Sequence, residues 1–109
     1  MINIKIKQYK DVVKEIQIKG HANFAEHGKD LVCASVSSIS VGLLNAINEK
    51  KYKVDMKMDD SLINIKVLDI DNTDIQLMLY VVIIQLKTIE ESYSNYIRIE
   101  KEETKWNFY

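Results

Sequence analysis

The hydrophobic period of this chain switches four times between two and 3.6, and that alternation limits the folds open to it. Ile2, Ile4 and Ile6 alternate with Asn3, Lys5 and Lys7. After a polar break at Gln8, Tyr9, Lys10 and Asp11, Ile16 and Ile18 resume the alternation up to Lys19. Two such runs predict an antiparallel hairpin with a four-residue connection. From Leu31 to about Lys50 the period becomes helical, with Val32, Val36, Ile39, Leu43 and Ile47 on one stripe. Lys53–Met58 and Leu62–Leu68 return to alternation around the turn residues Asp59, Asp60 and Ser61. A second helix is expected from about Ile75 to Ser94, capped by Thr73 or Asp74. Its stripe is Ile75, Met78, Val82, Leu86 and Ile89, although Val81–Ile84 would also suit a strand. Tyr96–Glu100 reads as a last strand, followed by a charged run and the aromatics Trp106, Phe108 and Tyr109. The prediction is one compact α+β domain over residues 1–109, in the order ββαββαβ, with two helices packed on an antiparallel sheet.

The first half of the second helix is apolar almost all round. A helix of that kind needs burial on every side. In a chain of 109 residues, which builds only one modest core, that need points to a dimer interface.

Between the first hairpin and the first helix lies the stretch with the most chemistry. Gly20-His21-Ala22 is followed by a polar segment to Gly28 and then by Lys-Asp-Leu-Val-Cys-Ala-Ser-Val-Ser. It holds both histidines, two of the three glycines and the only cysteine. With Asp30 as the expected N-cap, Cys33 occupies the third helical position. There the unpaired amides and the helix dipole favour a thiolate, the reactive form of a thiol. An imidazolium at His21 would add a full positive charge. Asp30 opposes ionisation unless it faces His21 and orients it; it can be a cap, an orienter or both. The amides of Cys33 and Ala34 are candidate donors to an oxyanion. Ser37, one turn after Cys33, could reach the sulfur or a substrate. The segment 22–29 reads as a lid with Gly20 and Gly28 at its ends and Phe24 able to touch an apolar substrate.

Plainer roles compete with each of these. A lone cysteine is most often a small buried hydrophobe, His21 a strand-end residue and His27 a solvated one. His21, His27 and Cys33 offer three possible metal ligands, but without the paired spacing or the fourth ligand of a closed site. No metal is therefore expected.

The totals exclude several classes. A formal charge of −1 removes the attraction on which sequence-independent nucleic-acid binding depends. Met1–Lys7 reads as a strand, not as a signal peptide, and no uninterrupted apolar run suffices to span a bilayer. A single cysteine makes no internal disulfide, which suits a reducing cytoplasm.

The motif formed by Gly20-His21-Ala22, Gly28, Asp30, Cys33-Ala34 and Ser37 resembles that of the ribosomal-processing cysteine proteases, the Prp family. All its fixed positions match, and length and element order agree. The resemblance implies a homodimeric cytoplasmic endopeptidase with no metal or organic cofactor. Its substrate would be the N-terminal extension of a large-subunit ribosomal protein, the small basic one near the peptidyl-transferase centre. The cut would follow an apolar stretch that ends in phenylalanine and precedes alanine. Cys33 matches the family's nucleophile and His21 its base, with Asp30 and Ser37 in support. Two other readings stand beside it. One is a protease of this fold with another protein substrate, and the other a non-catalytic dimer that binds the ribosome without cutting.

Overall fold

The structure, a computed structural model, describes the backbone of residues 1–20 and 27–105 and the side chains of 1–20 and 31–105. Seven elements follow one another: β1 (Ile2–Tyr9), β2 (Val12–Lys19), α1 (His27–Lys50), β3 (Val54–Asp59), β4 (Leu62–Val67), α2 (Thr73–Ser92) and β5 (Ile97–Glu103). The strands form one sheet in the order β3-β4-β2-β1-β5. The element order is the expected one, and Val81–Ile84 is helical.

The sheet is mixed, which corrects the antiparallel expectation. β1–β2, β2–β4 and β3–β4 are antiparallel, whereas β5 runs parallel to β1. The cause is the helices. A helix laid across a sheet returns the chain to the end it left, so the strands it joins run the same way. α1 joins β2 to β3 and α2 joins β4 to β5, and each pair is therefore parallel.

Register sorts the side chains. Ile2, Ile4, Ile6, Ile16, Ile18, Ile63, Ile65, Val67 and Ile97 are buried on the helix side, together with Val32, Val36, Leu43 and Ile47 of α1 and Ile75, Leu79, Val82, Ile83 and Leu86 of α2. The opposite face is open and polar. Across its middle the register aligns Glu102, Lys7, Glu15, Lys66 and Asp55, a row of alternating sign. Opposite charges facing each other across strands are mutually stabilising. Lys7 Nζ and Glu15 Oε1 are 3.9 Å apart. Glu102 facing Lys7 in this row also explains why β5 continues into a charged run where a shorter strand was expected.

Among the described residues, α1 is the one helix long and apolar enough to cross a bilayer. In this fold its apolar stripe lies in the core shared with the sheet.

Two side chains of α2 finish the sheet. β4 pairs with β2 only from Glu15 onward. Ahead of it, Gln76 Oε1 accepts from the Val13 amide at 2.8 Å and Gln76 Nε2 donates to the Val13 carbonyl at 2.9 Å. On β5, the Ile99 amide donates to Glu90 Oε2 at 2.7 Å.

Several boundaries differ from the periodicity. The β1–β2 connection is Lys10-Asp11, two residues instead of four, because Gln8 and Tyr9 pair with Val13 and Val12 past a bulge. Lys10 takes the left-handed conformation there. The cap of α2 is Asn72, not Thr73 or Asp74; its Oδ1 accepts from the Asp74 and Ile75 amides at 2.9 and 3.2 Å. α1 begins at His27, so Asp30 lies inside it and is not its N-cap. Residues 27–30 add a turn ahead of the apolar stripe, and a polar turn leaves no period in a sequence.

Lys101 has its pKa lowered from 10.5 by the hydrogen-bonded Lys87 side chain, by burial and by repulsion from that same lysine, against a pull from Asp11 and Glu103. The folded chain thus holds this proton less tightly than the unfolded one, and stability rises with pH through the window just below 10.5. Lys101→Gln is expected to flatten that rise and to stabilise by at most about 0.5 kcal/mol at neutral pH. Thermal midpoints measured against pH check it; an unaltered slope would show that Lys101 is not its source.

Candidate active site

Gly20 fixes where the polar segment leaves the sheet. Its φ of +89° favours glycine, and an added Cβ would stand 2.8 Å from the Met1 carbonyl oxygen. Its amide donates to the Ser61 carbonyl at 2.8 Å. The chain therefore departs beside the β3–β4 turn, and α1 returns over the helix side of the sheet. Gly28, expected as a hinge in a loop, is already helical. His21, Ala22 and Phe24 lie outside the described residues, as do Trp106, Phe108 and Tyr109; the side chain of Asp30 is outside them as well.

Counting from His27, Cys33 is the seventh residue of α1, in its second turn. This corrects the third position expected from an Asp30 cap. The dipole effect fades within the first turn. The amides of Cys33 and Ala34 fall within the helical ladder, which pairs them with carbonyls four residues back. In this conformation they are not the unpaired oxyanion donors the sequence suggested.

What the helix does provide is a defined flank. With Val36, Leu43 and Ile47 toward the sheet, Ser38, Gly42 and Ala46 line a groove against Met78, Val81 and Gln85 of α2. At about 100° per residue, Cys33, Ser37 and Leu44 then fall on the other flank. Cys33 and Ser37 are half-buried and Ala34 is exposed. Ser40, on the same stripe, is buried, and its Oγ donates to the Val36 carbonyl at 2.7 Å. That hydroxyl is committed to the helix, leaving Ser37 as the stripe's hydroxyl beside the thiol.

α2 packs against α1, β5 and β2, so it covers the β5 half of the sheet. The Cys33 flank of α1 overlooks the other half, which ends at β3. Met56 and Met58, read in the sequence only as apolar strand positions, are 44% and 64% exposed there. Alternation marks such positions as apolar but cannot tell a covered edge from an uncovered one.

Among the described residues no group of three or more histidine, cysteine or acidic side chains could hold a metal ion. What this flank can do is present a thiol, part exposed, beside a hydroxyl and above an open strand. Nucleophilic attack on an extended chain is the chemistry that fits.

Known proteins resemble this chain in sequence and fold. The ribosomal processing cysteine protease Prp of Mycoplasma genitalium is 35% identical over 102 residues, which covers 94% of this chain and 97% of that one. The crystal structure of the essential Prp of Staphylococcus aureus with a substrate peptide superposes with a TM-score of 0.86 at 32% identity, covering 94% of this chain and all of that one. The same Staphylococcus aureus protease with a covalently linked product peptide gives a TM-score of 0.84 at 33% identity, with the same coverage. The family model for cysteine protease Prp matches residues 1–98, and this chain, with its single, part-exposed cysteine on α1, belongs to that family of cysteine proteases.

Proposed function

We propose that this protein is a cytoplasmic, homodimeric endopeptidase that removes the N-terminal extension of a large-subunit ribosomal protein, with Cys33 as nucleophile and His21 as its base. One observation carries the assignment of the nucleophile. A cysteine protease needs a thiol, and this chain has a single cysteine, part exposed on α1. The substrate class follows from the name and the peptide complexes of the relatives.

In this reading His21 takes the thiol proton as Cys33 Sγ attacks the carbonyl carbon. The tetrahedral species collapses when His21 returns that proton to the leaving amine, which departs as the new N-terminus of the ribosomal protein. Water then attacks the thioester, giving its proton to His21. Collapse releases the carboxylate of the extension and the thiol is restored. Because Cys33 lies past the first turn of α1, the burden of activating it falls on His21. Asp30, if it faces His21, orients it; Ser37 steadies the sulfur or the substrate. Phe24, with Gly20 and Gly28 on either side of it in the chain, is the candidate to meet an apolar peptide that ends in phenylalanine before alanine.

Incubation of the protein with the N-terminal peptide of that ribosomal protein, encoded in the same genome, tests the reading by mass spectrometry. A single cut between phenylalanine and alanine is expected, and an intact peptide would end it. His21→Ala should slow alkylation of Cys33 by iodoacetamide near neutral pH by tenfold or more. An equal rate would show that His21 does not activate the thiol.

A further inference from the structure

The two edges of the sheet are finished differently. β5 carries Glu100, Lys101, Glu102 and Glu103, and the carboxylate of Glu90 closes its Ile99 amide. Charge and a capped donor keep another strand away. β3 has no capped backbone donor among the described residues, and its charges, Asp55, Lys57 and Asp59, alternate onto the face away from the helices. The Leu68 amide donates to the Lys53 carbonyl at 3.0 Å, which makes that pair a hydrogen-bonded one. In an antiparallel ladder such pairs alternate. Asp55, Lys57 and Asp59 therefore bond to β4, and Val54, Met56 and Met58 turn their amides and carbonyls outward.

The same residues place their side chains on the helix side, since Met56 pairs with Ile65 and Met58 with Ile63. That is the side overlooked by the Cys33 flank of α1. Met58 also lies toward the β3–β4 turn, the end at which α1 begins.

Resting on the protease reading above, we propose that the substrate peptide docks as a sixth strand on the free edge of β3. Its backbone pairs with Val54, Met56 and Met58, and alternate apolar side chains lie between the two methionines and the α1 flank carrying Cys33, Ser37 and Leu44. An added strand satisfies the outward backbone groups, and the side chains beside them select what it carries. A peptide is the occupant because the open backbone groups lie on the sheet edge that the thiol-bearing flank of α1 overlooks, and because the related Staphylococcus aureus protease holds a substrate peptide.

The test uses Met58→Asp, which places a charge on the apolar track, and Met56→Pro, which removes an outward amide without taking a bond from β4. Two measurements are made with the N-terminal extension peptide of the ribosomal protein: cleavage kinetics, and binding of its fluorescein-labelled form to the Cys33→Ala protein. Each variant is expected to raise KM and the dissociation constant at least tenfold with kcat within about threefold. Met56→Leu should restore both values. Alkylation of Cys33 by iodoacetamide, too small to need the edge, should not change. Unchanged KM and binding in both variants would overturn the proposal while leaving the protease reading intact. Loss of the dimer with peptide binding intact would also overturn it, giving the edge to a second copy. Peptide binding that depends on β3 without any cleavage would uphold the docking edge and end the protease reading. A chain that neither binds nor cuts the peptide ends both.

Discussion

Cys33→Ser is expected to lower kcat/KM for the extension peptide by at least about a thousandfold while leaving the fold untouched. The size follows from the role. A serine hydroxyl is far less ionised than a thiol at neutral pH, and loss of a nucleophile costs several orders of magnitude when no second group can replace it. None can here, because the chain has no other cysteine. The fold should hold because Cys33 is only half-buried and the substitution is nearly isosteric. Cleavage assays together with circular dichroism and a thermal midpoint check both halves. Retained cleavage would remove the thiol from the mechanism; lost cleavage with a collapsed midpoint would show only unfolding.

The second large effect concerns assembly. Leu77, Tyr80, Val81 and Ile84 of α2 are 64, 62, 47 and 44% exposed. They recur three, four and seven residues apart, so they form one apolar stripe in water. Beside it runs the groove between the helices, about 450 Å³, lined by Ser38, Gly42, Ala46, Val81 and Gln85 among others. A continuous patch of this kind suits the interface of the homodimer proposed above. Tyr80→Glu with Ile84→Glu should weaken a dimer at least a hundredfold and give a folded monomer in analytical ultracentrifugation. A dimer that survives both charges would place the interface elsewhere. Val82, on the stripe that periodicity assigns to α2, is 6% exposed and belongs to the core. A charge at Val82 would test folding instead.

The parts of the fold visible in the sequence are those that periodicity encodes. Ile2, Ile4 and Ile6 gave a strand with one buried face, and Val32, Val36, Leu43 and Ile47 a helix on that face, as found. Features set by partners distant in sequence were hidden. β5 is parallel because α2 carries the chain back across the sheet, and it extends to Glu103 because β1 offers it Lys7 and Gln8. The start of α1 was misplaced because its first turn is polar, and that error moved Cys33 from the second turn to the first. The motif around His21 and Cys33 nevertheless identified the family, since motif spacing survives a shift in helix boundary. The exposed Met56–Met58 edge was not visible, because alternation alone does not reveal which strand ends a sheet.

If the Cys33 sulfur forms the bond to the substrate, a reactive peptide should become attached to that atom. An extension peptide truncated at its phenylalanine and carrying a chloromethyl ketone there would test it most directly, by intact mass and peptide mapping. The expected result is one adduct per chain, located on Cys33 and formed at least tenfold more slowly in the His21→Ala protein. An adduct at any other residue, or no adduct on a protein that still cuts the peptide, would contradict the account.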